Sequence, residues 1–243
     1  MHIIKLDAID STNTFLRHLS SEKTVEDYTV VVANSQTKGR GQMGTVWDSQ
    51  PNKNLMVSVF IDVSFLKIEN SFYISMATSL AISNALKAFQ IKPVKVKWPN
   101  DILADQKKIS GVLIENVIKN NQLQASIIGF GLNVNQTYFE QLPSATSMHM
   151  VSGKVYHLDE VLLSVIEQLR YYIDILKTGD FQKVKDLYES ELFRNNKPST
   201  FKDVKGVLFT GIIKGVSNSG YLQVLIEDEI LKEFDLKEVK LLY

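Results

Sequence analysis

Gly39-Arg40-Gly41-Gln42-Met43-Gly44, with Trp47 three residues further on, has the G-x-G-x-x-G spacing of a loop that can lie against phosphate. Glycine lets a backbone approach a ligand closely and reach φ > 0. One cation, Arg40, sits inside the loop. The flanks of the loop restrict what it can be. A dinucleotide fingerprint needs a strand directly before the first glycine and a helix opening at the last. Here Ser35-Gln36-Thr37-Lys38 separates the loop from the β-branched run Thr29 to Asn34, and Thr45-Val46-Trp47-Asp48-Ser49-Gln50-Pro51 cannot open a helix. No Gly-Lys-Ser/Thr ends the loop, and no H-R-D or D-F-G accompanies it. Those absences set aside the Walker A and kinase readings. Taken alone, the loop is also consistent with a plain surface turn.

Working outward, Ile3 to Leu6 reads as a strand. Asp10-Ser11-Thr12-Asn13 follows, and each of these residues can cap a helix. The helix they open carries Phe15, Leu16 and Leu19 on one side. Leu55 to Val63 is a strand, and Phe72, Met76 and Leu80 form a helical stripe. Lys95 to Trp98 is a strand stopped by Pro99, and Ile102 to Ile109 reads as a hairpin around Ala104-Asp105-Gln106. Gly111 to Val117 and Gln124 to Phe130 are strands joined by Lys119-Asn120-Asn121-Gln122. Helices are expected over Leu158 to Lys177 and Phe181 to Phe193. Composition shifts at Arg194-Asn195-Asn196-Lys197-Pro198, and the rest reads as β: Lys205 to Val216, Tyr221 to Ile226 and two short strands ending at Leu242. That strand count suits a small barrel-like tail. The expected division is a domain over residues 1–194 and a small C-terminal β domain over 195–243.

The chain has 243 residues, equal numbers of acidic and basic side chains (27 each), and no cysteine. Disulfides, thiolate metal sites and thiol nucleophiles are therefore excluded. His2, His18, His149 and His157 lack ligand spacing. No apolar run approaches a membrane span, and the N-terminus reads as a strand and not a signal peptide. A cytoplasmic protein is the default expectation, with no membrane partner. The balanced charge argues against a nucleic-acid binder.

Four further motifs carry polar chemistry. Lys97-Trp98-Pro99-Asn100-Asp101 ends a strand and projects Asn100 and Asp101 from it. Lys107-Lys108-Ile109-Ser110-Gly111 places a lysine at the entry to a buried strand, where it could aim a point charge at phosphate or carboxylate. The capping run Asp10 to Asn13 can also bind a polar ligand group through helix N–H groups and hydroxyls. Gly129-Phe130-Gly131-Leu132-Asn133-Val134-Asn135 has two glycines that permit close backbone contact, or mark a β-bulge. Each motif has an ordinary structural alternative: a turn, a solvated charge, a cap or a bulge.

Their order along the chain is specific. Asp10-Ser11-Thr12-Asn13, Gln36-Thr37-Lys38-Gly39-Arg40-Gly41, Trp47, Lys97-Trp98-Pro99-Asn100-Asp101, Lys108-Ile109-Ser110-Gly111-Val112-Leu113-Ile114-Glu115 and Gly129-Phe130-Gly131-Leu132-Asn133-Val134 resemble the biotin protein ligases, in the family's order. The resemblance implies an α/β (α+β) fold. Its catalytic domain has a mixed, largely antiparallel sheet flanked by helices, similar to class II aminoacyl-tRNA synthetases, and a small SH3-like β-barrel follows. It implies an enzyme that makes biotinyl-5′-AMP from biotin and ATP with Mg²⁺, then passes biotin to one lysine of a biotin carboxyl carrier protein. By resemblance, Ser11, Thr12, Asn13 and Gln36 lie at the biotin end, and Arg40, Gly41 and Gln42 close over the biotin tail and phosphate. Lys108 lies by the biotin carboxylate and α-phosphate. Gly39, Gly44, Trp47, Asn100 and Asn133 belong to the ATP and adenylate side. Lys108, Arg40 and Asp101 are the catalytic candidates, Asp101 as the group that orients or deprotonates the incoming lysine. No metal site fixed by the protein is implied; Mg²⁺ comes with ATP.

Residue chemistry supports these roles. A neutral ureido ring needs a few fixed polar groups on an apolar wall. Carboxylate attack on phosphate brings two anions together and needs cations nearby. The adenylate hydrolyses in water, which a closing loop would prevent. Many members of the family have a second arginine in the loop; Gln42 and Met43 stand there here, and Thr45 where a basic residue or Asn is common. The Ser-Thr-Asn motif begins at residue 11, so the expectation is a ligase without the N-terminal DNA-binding domain of some members, and no DNA partner. The family includes monomers and homodimers.

Overall fold

The computed structural model describes residues 1–140 and 142–243, with the backbone alone at Asp228. Strands β1 (His2–Ile9), β2 (Thr29–Gln36), β3 (Leu55–Asp62), β4 (Val94–Lys97), β5 (Asp101–Ala104), β6 (Lys107–Lys119) and β7 (Gln122–Leu132) form one sheet in the order β1-β2-β3-β7-β6-β5-β4. Only β1 and β2 are parallel, joined through helix α1 (Thr12–Glu22); every other pair is antiparallel. Three tight connections follow from turn chemistry. Asp105 and Gln106 (φ 47° and 63°) and Asn120 and Asn121 (φ 52° and 57°) make two-residue turns between β5 and β6 and between β6 and β7. Such left-handed pairs match the twist of flanking strands. Trp98-Pro99-Asn100 turns the chain from β4 into β5.

Strand parity divides the sheet into two faces. On β3, Leu55, Val57, Val59 and Ile61 enter the main core with helices α2 (Phe72–Ala88), α4 (Leu158–Lys177) and α5 (Phe181–Glu191). Helix α2 is buried nearly all round, because it touches the sheet, α4 and α5 together. On the opposite face Leu16 of α1 packs with Val31 and Ile127. The middle of that face has almost no side chains. Ser58 lies opposite Gly129, and Gly131 lies between Met56 and Gly111 in adjacent strands. The hollow left between α1 and the sheet is the cleft described below.

Between α4 and the sheet's end lies α3 (Met148–Ser152), stopped by Gly153 at φ 74°. After α5 come β8 (Pro198–Asp203), β9 (Leu208–Val216), β10 (Leu222–Leu225), β11 (Leu231–Phe234) and β12 (Val239–Leu242), an antiparallel sheet in the order β11-β10-β9-β8-β12. Its end strands are not paired with each other, so the expected barrel takes the form of an open five-stranded sheet. Strand β8 is not evident in the sequence, where Pro198 reads as linker; proline is tolerated because it sits at the strand's first residue. Phe201, Ile213, Val216, Leu222, Val224 and Phe234 belong to the same apolar cluster as the main core. The indole N–H of Trp98 donates to Gly220 O (2.8 Å) and Tyr73 Oη donates to Asn218 Oδ1 (3.2 Å), tying the tail to the β4–β5 turn and to α2.

Candidate active site

The cleft lies between the start of α1, the glycine loop and the glycine-rich floor of the sheet. Ser11, Thr12, Asn13, Gln36, Arg40, Gly41, Gln42, Trp47, Asn100 and Lys108 all line it. Elements far apart in sequence thus converge: the start of α1, the end of β2, the glycine loop, the β4–β5 turn and the first half of β6.

At one end is a network of neutral polar groups. Gln36 Oε1 accepts from the Thr12 N–H (2.8 Å) and from Thr12 Oγ1 (3.1 Å). Ser58 Oγ, fully buried, lies 2.8 Å from Thr12 Oγ1 and 2.5 Å from Asn13 Oδ1. With Thr12 Oγ1 donating to Gln36, the single Ser58 proton goes to Thr12 Oγ1 or to Asn13 Oδ1, one at a time. Asn13 Nδ2 donates to Glu115 Oε2 (2.8 Å) and weakly to Leu113 O (3.3 Å). Of the run Asp10 to Asn13, Ser11 takes the N-cap position, but its side chain makes no cap bond, and Gln36 satisfies the first helical N–H instead. Gln36 reaches that N–H because β1 and β2 pair in parallel, placing the end of β2 beside the start of α1.

At the other end are charges. Lys108 Nζ pairs with Asp101 Oδ1 at 2.6 Å and stands 5.6 Å from the ring centroid of Trp47. Lys97 Nζ lies 3.7 Å from Asp101 Oδ2. A register shift between Ile102 and Leu103 explains how Lys108 comes to face the cleft. Strict alternation would put Ile109 on the same face as Gly111; past the bulge the parity reverses, so Ile109 joins the main core and Lys108 turns to the cleft. Asn100 Nδ2 donates to Val112 O (2.6 Å) and its carbonyl accepts from Val112 N–H (3.0 Å), which fixes the turn carrying Asp101 against β6.

The floor glycines are needed for close approach. A Cβ on Gly129 would lie 2.3 Å from Asn13 Oδ1, and one on Gly131 would lie 2.2 Å from the Trp47 ring. In the glycine loop, Gly39 O accepts from Trp47 N–H (3.0 Å) and Gly41 N–H donates to Thr45 O (2.6 Å). The left-handed positions are Met43 (φ 62°) and Gly44 (φ 80°), so Gly39 and Gly41 serve packing and not unusual torsions. Gly39 and Gly44 do not line the cleft; both border an adjoining hollow that shares Arg40, Gly41 and Leu113 with it. Asn133 also stands outside the cleft lining. Its side chain donates to Thr146 O (3.0 Å) and its N–H to Ile109 O (2.9 Å), bracing the segment whose Ser144 and Thr146 bond the backbone of Lys108.

Sequence reasoning gave no role to Ser58 or Glu115. Ser58 is the one polar residue within the run Leu55 to Ile61, on the parity of Met56 and Phe60. That interruption is the signal that could have found it. Glu115 stood inside a recognised motif, but its partners are 75 or more residues away in sequence.

The model of the biotin/lipoate A/B protein ligase family matches residues 6–133. Biotin protein ligase from Aquifex aeolicus, solved in complex with biotin and ATP, is similar in structure with a TM-score of 0.82 and 31% identity, over 99% of this chain and 98% of that one. The bifunctional ligase/repressor BirA of Bacillus spizizenii is 29% identical over 239 residues, 95% of this chain and 71% of that protein. The biotin–[acetyl-CoA-carboxylase] ligase of Mycobacterium tuberculosis is 31% identical over 141 residues, 57% of this chain and 51% of that protein. With the matched residues spanning every part of the cleft, and the fold shared over nearly its whole length, the chain belongs to the biotin/lipoate A/B protein ligase family, among its biotin protein ligases.

Proposed function

We propose that this protein activates biotin with ATP to biotinyl-5′-AMP and then transfers biotin to a lysine of a biotin carboxyl carrier protein. The observation that carries this reading is the polarity of the cleft. Neutral hydrogen-bonding groups gather at one end with Arg40 held beside them on Glu115, and Lys108 lines the other end, on a fold shared with an enzyme solved with biotin and ATP. Residues 1–194 form the catalytic part in this reading, and 195–243 a small C-terminal domain.

Ser11, Thr12, Asn13 and Gln36 hold the ureido ring, whose hydrogen-bonding groups match their mixed donors and acceptors. Arg40, Gly41 and Gln42 cover the valeryl tail. Lys108 and Arg40 offset the charge as a biotin carboxylate oxygen attacks the α-phosphorus and pyrophosphate leaves. Gly39, Gly44, Trp47, Asn100 and Asn133 serve the nucleotide side, with Gly39, Gly44 and Asn133 outside the cleft lining itself. Mg²⁺ accompanies ATP. The nearest carboxylate, Asp101, is already engaged by two lysines, so phosphate oxygens and water supply the ion's ligands. Once phosphate gives Lys108 another anionic partner, Asp101 keeps only the longer contact to Lys97 (3.7 Å) and receives a proton from the incoming lysine amine. That amine attacks the acyl carbon and AMP leaves.

Incubation with ATP, Mg²⁺, biotin and a carrier domain tests the reading by mass spectrometry. The expected result is a mass increase of one biotin on the carrier. Lipoate in place of biotin at equal concentration is expected to react poorly, and a preference for lipoate would overturn the assignment. Biotin binding with an unlabelled carrier would mark a sensor and not a ligase.

A further inference from the structure

Glu115 is the meeting point of helix α1 and the glycine loop. It lies on β6, with its side chain only 17% exposed. Three donors converge on its carboxylate. Asn13 Nδ2 reaches Oε2 at 2.8 Å, Arg40 Nη2 reaches Oε2 at 3.1 Å, and Arg17 Nη2 reaches Oε1 at 3.3 Å. A carboxylate has about four acceptor sites, so all three fit at once. Asn13 and Arg17 belong to α1, whereas Arg40 belongs to the glycine loop. Arg40 Nη2 also donates to Thr14 Oγ1 (3.2 Å), again on α1. Arg40 uses only Nη2 in these contacts among the described residues, and it lines the cleft. Its remaining N–H groups are thus free to meet an anion while Nη2 stays on Glu115.

We propose that Glu115 is a positioning residue that latches the glycine loop shut over the cleft, through Arg40, and ties that latch to the ring-binding Asn13. The proposal rests on the ligase reading above for its consequence, but the latch itself is present without any ligand. The physical argument is one of charge. Two guanidinium groups share one carboxylate, and the neutral loop residues Gln42, Met43 and Thr45 offer no second anchor of that kind. Removing the negative charge leaves Arg17 and Arg40 as like charges with nothing between them, so the loop is pushed off α1. Glutamine keeps an acceptor for Asn13, so the ring end stays ordered.

Two readouts test this. In the ligand-free protein, trypsin cleavage after Lys38 and Arg40 reports loop opening. Glu115→Gln is expected to raise that rate about tenfold, the effect of losing one charge-assisted bond. An unchanged rate overturns the latch, whether or not the chain proves to be a ligase. With ATP, Mg²⁺, biotin and a bystander protein, Glu115→Gln is expected to label bystander lysines about tenfold more, with biotin affinity within about threefold of wild type. Adding Arg40→Gly to it should produce a leak smaller than the product of the two single effects, because the latch is lost in both while the direct anion contact of Arg40 is lost only with Arg40→Gly. Additive leaks, or retention equal to wild type, count against the proposal. Arg17→Gln leaves the loop contact in place and is expected to change neither readout. Should Glu115→Gln melt much earlier than wild type, Arg40→Gln breaks the latch from the loop side, and faster cleavage after Lys38 is then the required result.

Discussion

Replacing Gly129 by alanine tests whether the depth of the cleft is set by its floor. The new Cβ would stand 2.3 Å from Asn13 Oδ1, 2.9 Å from its Cγ and 3.0 Å from its Nδ2. Non-bonded contacts of this kind settle near about 3.5 Å, so the amide must retreat by roughly 1 Å. That retreat strains three contacts together: to Ser58 Oγ, Glu115 Oε2 and Leu113 O. Neutral hydrogen bonds contribute about 0.5–1.5 kcal/mol and bonds to a charge about 1.5–3 kcal/mol. With partial relaxation, the loss of stability is about 2–4 kcal/mol. At about 2–4 °C per kcal/mol for a chain of this length, Tm falls by roughly 5–15 °C. Biotin affinity is expected to fall about tenfold to a hundredfold, because a displaced amide costs about 1.4–2.8 kcal/mol of binding. Scanning calorimetry gives the first number and titration calorimetry the second. The double variant Gly129→Ala/Asn13→Ala separates them: it removes the clash, so Tm recovers in part, whereas biotin affinity does not. Wild-type Tm and wild-type affinity in Gly129→Ala would refute the reasoning.

Lys108→Ala is expected to lower adenylate formation by about a hundredfold or more, the usual effect of losing a group that meets developing charge; pyrophosphate release measures it, and unchanged activity would mean that the lysine only neutralises Asp101. Trp98→Phe deletes the donor to Gly220 O and is expected to cost about 1 kcal/mol or more, read as a Tm shift of a few degrees with faster hydrogen exchange in β9 and β10. Burial pushes the Tyr172 hydroxyl up to about 12, with Glu191 and Tyr171 adding to the effect and the Asn84 hydrogen bond opposing it. The unfolded chain ionises this group near about 10, so its contribution is complete below that pH and is lost as pH rises from there to about 12. Tyr172→Phe should therefore flatten the fall in stability between those values in alkaline urea titrations, and an unaltered slope would show that other groups dominate.

Much of the architecture is legible in the chain because local signals and tertiary packing agree. Helix α4 starts and stops where its apolar stripe does, at Leu158 and Lys177, and both β5–β6 and β6–β7 turns fall on polar pairs that accept φ > 0. Agreement fails where function or long-range pairing intervenes. Strand β8 is stabilised by β9 and β12, not by its own sequence. One of the two left-handed residues in the glycine loop is Met43, which no propensity favours. Short helix α3 is set by the Ser147 cap and Gly153, too brief a span for periodicity to show. The cleft residues themselves were legible as motifs. Their connections were not: the partnership of Lys108 with Asp101 depends on a bulge, and that of Glu115 with Asn13 on strand parity, which sequence spacing does not encode.

The floor of the cleft is main chain at Gly111, Gly129 and Gly131. A surface of that kind has no rotamers to freeze when a ligand arrives, so its share of the conformational entropy of binding is small. The side chains with freedom to lose are instead those of the glycine loop, where Met43 and Val46 are exposed. Binding entropy is thereby assigned to one replaceable segment. On the ligase reading proposed above, substitutions in the loop adjust how long an intermediate is held, while the shape beneath it stays fixed in the backbone.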